Sequence, residues 1–260
     1  MTATSTLETG VPGRPVAVCL HGFLGDPEEW RPVAEMLAPQ LHCLAPPLPG
    51  HDGQPPPASD LVGLADALWA GLAPFLPARF ALIGYSLGGR LALALARQHP
   101  NRITALVLEG AHPGLKDAAA RQARHRHDEA WAQRLETQPW LENLDAWYRQ
   151  PVFADLDEAR RQALIQRRAR HHPDHLAATL RAGSLAGQPD LRPALRALTG
   201  PRYYIAGRHD TKFSTIADEL AAEVPGLTVA KIAGVGHNCH AEAPAEVAAI
   251  LQRIRIDECT

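Results

Sequence analysis

The sequence predicts an α/β fold, a mostly parallel β-sheet covered by helices on both faces, interrupted by a helical insertion. Two observations carry that prediction. Short, near-continuously apolar runs alternate with helix-length segments, as strands buried on both faces do. Between residues 112 and 196 the β rhythm stops, and Ala, Arg, Gln, Glu and Leu take over with no convincing strand pattern. The length of 260 residues fits one large domain carrying an insertion better than two independent domains.

Taken in order, the strands are VAVCL at 16–20, LHCLA at 41–45, FALIG at 80–84 and ITALVLEG at 103–110, then PRYYIAG at 201–207 and LTVAKIA at 227–233. Apolar positions at helical spacing mark 60–76, with Ser59 and Asp60 as cap candidates, and 86–98; further helices are expected near 214–223 and 244–256. This order gives a core of residues 1–111 and 197–260 and a helical cap of 112–196. The cap holds 13 Arg and 1 Lys against 11 Asp and Glu, net +3, so the remainder is −5 within a total of −2. The cap is therefore the electropositive part. Gln54-Pro55-Pro56-Pro57 marks a stiff surface loop.

Composition excludes several classes of partner. A net charge of −2 provides no overall basic field for nucleic acid or an anionic membrane. Cys19, Cys43, Cys239 and Cys259 share no C-x-x-C pair and no metal-ligand spacing with the histidines, and Cys19 and Cys43 lie in apolar runs as buried thiols do. The opening residues lack the basic end and apolar centre of a signal peptide, and no apolar run is long enough to span a bilayer. The expectation is a reduced, cytoplasmic protein without metal or organic cofactor.

Gly84-Tyr85-Ser86-Leu87-Gly88 matches G-x-S-x-G, the sharp strand-to-helix turn that exposes a serine at the carboxyl edge of a sheet. In α/β-hydrolases the partners follow in the order serine, acid, histidine, each just after a strand. Asp210 follows YYIAG and His237 follows TVAKIA, so order and placement both match. His240, the nearby rival, looks like the start of the next element. The oxyanion hole calls for backbone N–H groups, which Leu87, at the helix start, and Phe23, in LHGFLG at 20–25, are placed to supply. His21 is expected to shape that loop, and the other histidines, including His171 and His172, are read as surface residues. Arg90 stands one helical turn after Ser86 on the same face, and helical side chains lean toward the amino end. Two readings of Arg90 stand level: a carboxylate-binding cation beside the serine, or an ion pair that steadies the helix.

LHGFLG at 20–25, GYSLGGR at 84–90, HPGL at 112–115, WYRQPVF at 147–153, SLAGQPDLR at 184–192, GRHDTKF at 207–213 and GHNCHAEAP at 236–244 together resemble one family. It is the 2-succinyl-6-hydroxy-2,4-cyclohexadiene-1-carboxylate synthases (MenH) of menaquinone biosynthesis, and the likeness spans most of the chain. The first motif and G-x-S-x-G belong to the whole α/β-hydrolase superfamily; the trailing GGR, D-x-K-F and WY-x-QPVF are narrower. The resemblance implies elimination of pyruvate from a cyclohexene bearing several carboxylates. By motif position it implies that Arg90, Arg124 and Arg168 bind those anions and that Tyr85 and Trp147 line the pocket. His209 before Asp210 and Pro47 in PPLPGHD depart from the family pattern.

The expected chemistry has Ser86, made basic through His237 and Asp210, removing a proton beside the succinyl ketone, with Phe23 and Leu87 N–H groups holding the enolate oxygen. A carboxylesterase or carbon–carbon hydrolase using the same triad covalently is the chief rival, and a ligand receptor on the same scaffold the second. The expected partner is a small polycarboxylate, with oligomeric state left open.

Overall fold

The computed structural model describes residues 5–254. Seven strands form one sheet: β1 (Leu7–Thr9), β2 (Val16–Leu20), β3 (His42–Ala45), β4 (Phe80–Tyr85), β5 (Ile103–Glu109), β6 (Arg202–Gly207) and β7 (Leu227–Ile232). Their spatial order is β1-β3-β2-β4-β5-β6-β7, with β1 antiparallel to β3 and every other pair parallel. The six expected strands are present. β1 was not expected: three residues at the sheet edge are too few for alternation to register in the sequence.

Strand side chains alternate between two apolar layers, as the two-residue period requires. Val18, Leu20, Leu82, Leu106 and Leu108 pack toward α2 (Leu61–Leu72), α3 (Leu87–Gln98) and α9 (Thr211–Glu223). Ala17, Cys19, Ala81, Ile83, Ala105 and Val107 pack toward α1 (Arg31–Leu37) and α11 (Pro244–Gln252). Both layers are needed because β4, at the centre, is buried along its whole length. Asp60 caps α2 by accepting from the Gly63 N–H at 2.7 Å. The helix expected over 244–256 covers Pro244–Gln252, and its last two expected residues and Cys259 lie outside the described residues. Cys19, Cys43 and Cys239 are buried and unbridged.

Between β5 and β6 the chain runs through α4 (Ala118–Thr137), α5 (Trp140–Trp147), α6 (Glu158–Arg168), α7 (Pro173–Ala182) and α8 (Arg192–Ala197), without a strand. The first four surround an apolar cluster of their own, with Leu135, Leu144, Ile165 and Leu176 among its fully buried members. Leu24, from the loop after β2, belongs to the same cluster and ties the insertion to the sheet. α8 differs: Leu191, Leu195 and Leu198 pack in the layer with α3. No helix among the described residues is long and apolar enough to cross a membrane.

Candidate active site

Ser86 sits between β4 and α3 with φ 50° and ψ −109°, a left-handed backbone that a side chain tolerates only under constraint. The constraint is close packing. Gly88 lies so near the carbonyl oxygens of Leu20 and His21 that a Cβ would collide with both, and Gly84 is similarly pressed against Gly89. The Ser86 N–H donates to the Glu109 carbonyl of β5 at 2.8 Å, while the Arg90 N–H returns to the Ser86 carbonyl at 3.1 Å. The serine is half-buried and its hydroxyl makes no capping bond to α3.

Gly22 approaches the elbow closely; a Cβ there would lie 2.6 Å from the Tyr85 ring and 3.6 Å from the Ser86 Cβ. Phe23 follows in a turn closed by Gly25 N–H to Gly22 O at 3.0 Å. Neither the Phe23 nor the Leu87 N–H donates to a protein acceptor among the described residues, leaving two free donors near Ser86.

Asp210, just past β6, caps α9 with Oδ1, accepting from the Phe213 N–H at 3.1 Å, and accepts from His237 Nδ1 through Oδ2 at 2.6 Å. With Nδ1–H donated, Nε2 remains the acceptor nitrogen of a neutral ring. The imidazole is wedged beside Gly110, where a Cβ would meet it at 2.8 Å, and between Tyr85 and Phe213, with centroids 5.2 and 4.7 Å away. The structure thus brings Asp210 and His237 together beside the elbow, and forms no hydrogen bond between Ser86 Oγ and His237. Catalytic bonds commonly tighten only when substrate is bound. His240 has a separate partner: its Nδ1 and N–H both face Glu109, at 2.9 and 3.1 Å, and its ring stacks on Trp30 at 4.0 Å.

The three arginines have different fates. Arg90 is buried, yet its hydrogen-bond partners are neutral: Nε donates to Gln188 Oε1 at 2.6 Å, Nη2 to the Gly183 carbonyl, and Nη1 to nothing among the described residues. Burial, then the Arg124 charge, lowers its pKa to about 9, and the Asp128 charge opposes the shift without cancelling it. Arg124, in α4, gives only Nε to buried Asp128, at 2.8 Å to both oxygens, and keeps both terminal nitrogens free. Ser184 holds Asp128 in turn at 2.7 Å. Arg168, in contrast, is saturated: Nε donates to Tyr148 Oη at 3.3 Å, Nη1 to Asp26 at 2.7 Å, and Nη2 to Glu29. The sequence reading set Arg168 against substrate; in the structure its charge is taken up by two buried acids behind the oxyanion loop.

Asp26 also accepts from Arg167 at 2.5 Å and pairs with Arg170 at 2.7 Å. Burial alone would raise its pKa, but the Arg167 hydrogen bond and the surrounding guanidinium charges hold it far below the usual carboxylate range. Buried histidines complete the clamp. His21 Nε2 accepts from the Leu48 N–H at 3.1 Å, His51 Nε2 from the Leu24 N–H at 3.1 Å, and His171 Nε2–H donates to the Leu24 carbonyl at 3.1 Å. His171 is therefore not the surface residue the sequence suggested. Leu24 accordingly holds φ 63°, pinned from both sides. Trp147 reaches over from the insertion, its ring 5.0 Å from Phe23. The insertion also meets the acid loop, where His209 Nδ1 lies 3.1 Å from Asp155.

Sequence reasoning missed Gln188, Asp128, Asp26, Glu29 and Lys212. Gln188 and Lys212 stand inside motifs quoted above, so their types were visible and their partners were not. Asp26 and Glu29 meet arginines some 140 positions away, which no local pattern announces.

A strained serine on a strand-to-helix elbow, two N–H groups unpaired among the described residues and a His–Asp pair after successive strands define a protein of the alpha/beta hydrolase fold class. The chain belongs to the alpha/beta hydrolase family, whose model matches residues 17–250. Within it the chain belongs with the 2-succinyl-6-hydroxy-2,4-cyclohexadiene-1-carboxylate synthases. It is 44% identical to that synthase from Klebsiella pneumoniae (strain 342) over 98% of this chain and 99% of the relative. It is 46% identical to the one from Enterobacter sp. (strain 638), over 94% and 93%. Among solved structures, MenH from S. aureus superposes with a TM-score of 0.87 at 28% identity, covering 97% of each chain.

Proposed function

We propose that this protein eliminates pyruvate from 2-succinyl-5-enolpyruvyl-6-hydroxy-3-cyclohexene-1-carboxylate, giving 2-succinyl-6-hydroxy-2,4-cyclohexadiene-1-carboxylate for menaquinone biosynthesis. Residues 112–196 act as its cap. The observation that carries the reading is Arg90: a buried guanidinium one turn from Ser86, with no carboxylate bonded to it among the described residues and a nitrogen to spare there. A buried cation left uncompensated by the protein is a site for an anionic group of the ligand. A neutral ester makes no use of it.

In this mechanism His237, oriented by Asp210, accepts the Ser86 proton, and the serine oxygen takes the proton beside the succinyl ketone. The Phe23 and Leu87 N–H groups stabilise the enolate oxygen as charge develops there. Collapse of the enolate through the ring breaks the carbon–oxygen bond and expels pyruvate as its enolate, which takes the proton held on His237 to become pyruvate and leaves Ser86 protonated as before. Arg90 and Arg124 hold carboxylates through their free nitrogens, and Tyr85 and Trp147 wall the ring. Burial, then the Glu109 charge, pushes the Tyr85 phenol well above its ordinary pKa, so it stays a neutral hydroxyl. Arg168 acts indirectly, by holding Asp26 and Glu29.

The test is a coupled pyruvate assay on the enolpyruvyl substrate beside a neutral acetate ester. Wild-type protein releases pyruvate, and Ser86→Ala loses turnover by about 10³-fold or more. Ester hydrolysis through a trapped acyl-enzyme, with no pyruvate from the enolpyruvyl substrate, would establish the carboxylesterase instead. Tight binding with no turnover of either would point to a receptor.

A further inference from the structure

Among the charged residues of GRHDTKF that the proposed chemistry leaves unused is Lys212. It stands in the first turn of α9, which Asp210 caps, so the acid of the His–Asp pair and this ammonium leave the same turn. Its Nζ lies 5.3 Å from the Phe213 ring centroid, and that ring lies 4.7 Å from the His237 imidazole. Lys212 thus borders the reacting groups.

Lys212 makes no hydrogen bond or ion pair among the described residues, and its ammonium lies over the Phe213 ring. The acids near it are already committed. Asp210 serves His237 and the Phe213 N–H, and Asp128 serves Arg124 and Ser184. The charges acting on Lys212 are those of Arg124, Asp210, Asp128 and Arg90, and Lys212 is the foremost charge acting on His112. The ammonium is therefore within electrostatic reach of both arginines and of His112. Its side chain is open to solvent, while enough protein surrounds the amino group for burial, then Arg124, to lower its pKa. The openness matters more here, because a ligand can reach the group.

Three neighbouring cations repel each other, and although Asp210 and Asp128 favour the Lys212 charge, no acid among the described residues forms an ion pair with it. We propose that Lys212 is a further substrate-binding residue, pairing with a carboxylate of the substrate on the His237 side of the cleft and joining Arg90 and Arg124. This rests on the function proposed above. An arginine fork is suited to bidentate grip, whereas a lysine supplies a compact charge that tolerates several approach angles. That suits a carboxylate that moves as the carbon–oxygen bond beside it breaks.

The experiment pairs steady-state pyruvate release by wild type, Lys212→Gln and Lys212→Arg with calorimetric titration of the substrate into Ser86→Ala and Ser86→Ala/Lys212→Gln. Loss of one charge-assisted contact should lower kcat/KM of Lys212→Gln by about 10- to 100-fold, chiefly through KM, with the same loss of affinity in the titration. Lys212→Arg should keep activity within about threefold of wild type, since it retains the charge. Urea midpoints should be unchanged. Normal kcat/KM in Lys212→Gln with active wild type overturns the assignment alone, as does a loss confined to kcat with unaltered affinity. Wild type that neither releases pyruvate nor binds the substrate overturns the function reading and the assignment together.

Discussion

Arg90 and Arg168 are both buried guanidiniums, and what surrounds each decides what its loss would do. Arg168 pairs with Asp26 and Glu29, and since Asp26 keeps Arg167 and Arg170, Arg168→Gln leaves the Glu29 carboxylate buried without a cation. Breaking such a pair by removing one partner costs about 3–5 kcal/mol. Urea unfolding should show a loss of that size, and Glu29→Gln added to Arg168→Gln should recover part of it. Arg90 neutralises nothing. In Arg90→Gln the lost hydrogen bonds to Gln188 and Gly183 are offset by removal of an uncompensated charge, so stability should stay within about 1 kcal/mol of wild type. Its kcat/KM for pyruvate release should nevertheless fall by about 10- to 100-fold. An Arg90 variant that unfolds, or an Arg168 variant as stable as wild type, would reverse these assignments.

At the level of elements, the nucleophile turn is held by backbone proximity, and two glycines separate that demand from ordinary helix propensity. Gly88 in α3 has the Leu20 and His21 carbonyls where a Cβ would go, so Gly88→Ala must push the helix off β2 and should cost several kcal/mol, about the scale of core overpacking or more. Gly71 in α2 is exposed with nothing near its Cβ position, so Gly71→Ala should stabilise by about 0.5–1 kcal/mol. Thermal melts of both check the contrast. These glycines also mark what could be read from the chain alone. G-x-S-x-G, apolar β4 and β5, and an acid and a histidine each following a strand are local patterns, and the elbow and the Asp210–His237 pair are where those patterns put them. α1 escaped notice because it is two turns long and opens at Arg31-Pro32 without a side-chain cap. The Asp26 cluster escaped because its members converge only once α6 lies against the loop after β2. Arg90 was ambiguous for the same reason, since the neutral character of Gln188 and Gly183 is a fact of tertiary structure.

For the whole molecule, the joint between insertion and sheet is built from neutral histidines, and this makes its stability depend on pH with a definite sign. His21, His51 and His171 form a row, with ring centroids 5.1 and 5.6 Å apart, connecting the end of β2, the loop after β3 and the segment after α6. Burial lowers all three from an ordinary value of 6.5, His51 to about 4 and His171 to about 3, with neighbouring charge from His51 and Arg168 adding to the effect at His21 and His171. Asp26 and Asp52 oppose the shift without cancelling it. Since the unfolded chain binds these protons and the native protein does not, the native state loses stability as pH falls below the unfolded value. Each histidine contributes about 1.4 kcal/mol per pH unit between that value and its own native pKa. Protonation at His51 or His21 also removes the acceptor for the Leu24 or Leu48 N–H, so the loops after β2 and β3 should loosen along with the joint. Asp26 has the opposite charge and acts later: its depressed pKa adds stability above the ordinary carboxylate range that disappears as pH falls through it. Urea unfolding free energies should therefore be flat from pH 8 to 7, fall steeply from 6 to 4, and fall again below 4. His171→Gln keeps a donor for the Leu24 carbonyl without a titrating group and should flatten the middle limb by about one proton's slope. An unchanged slope in that variant would mean the histidine row is not what fastens the insertion to the sheet.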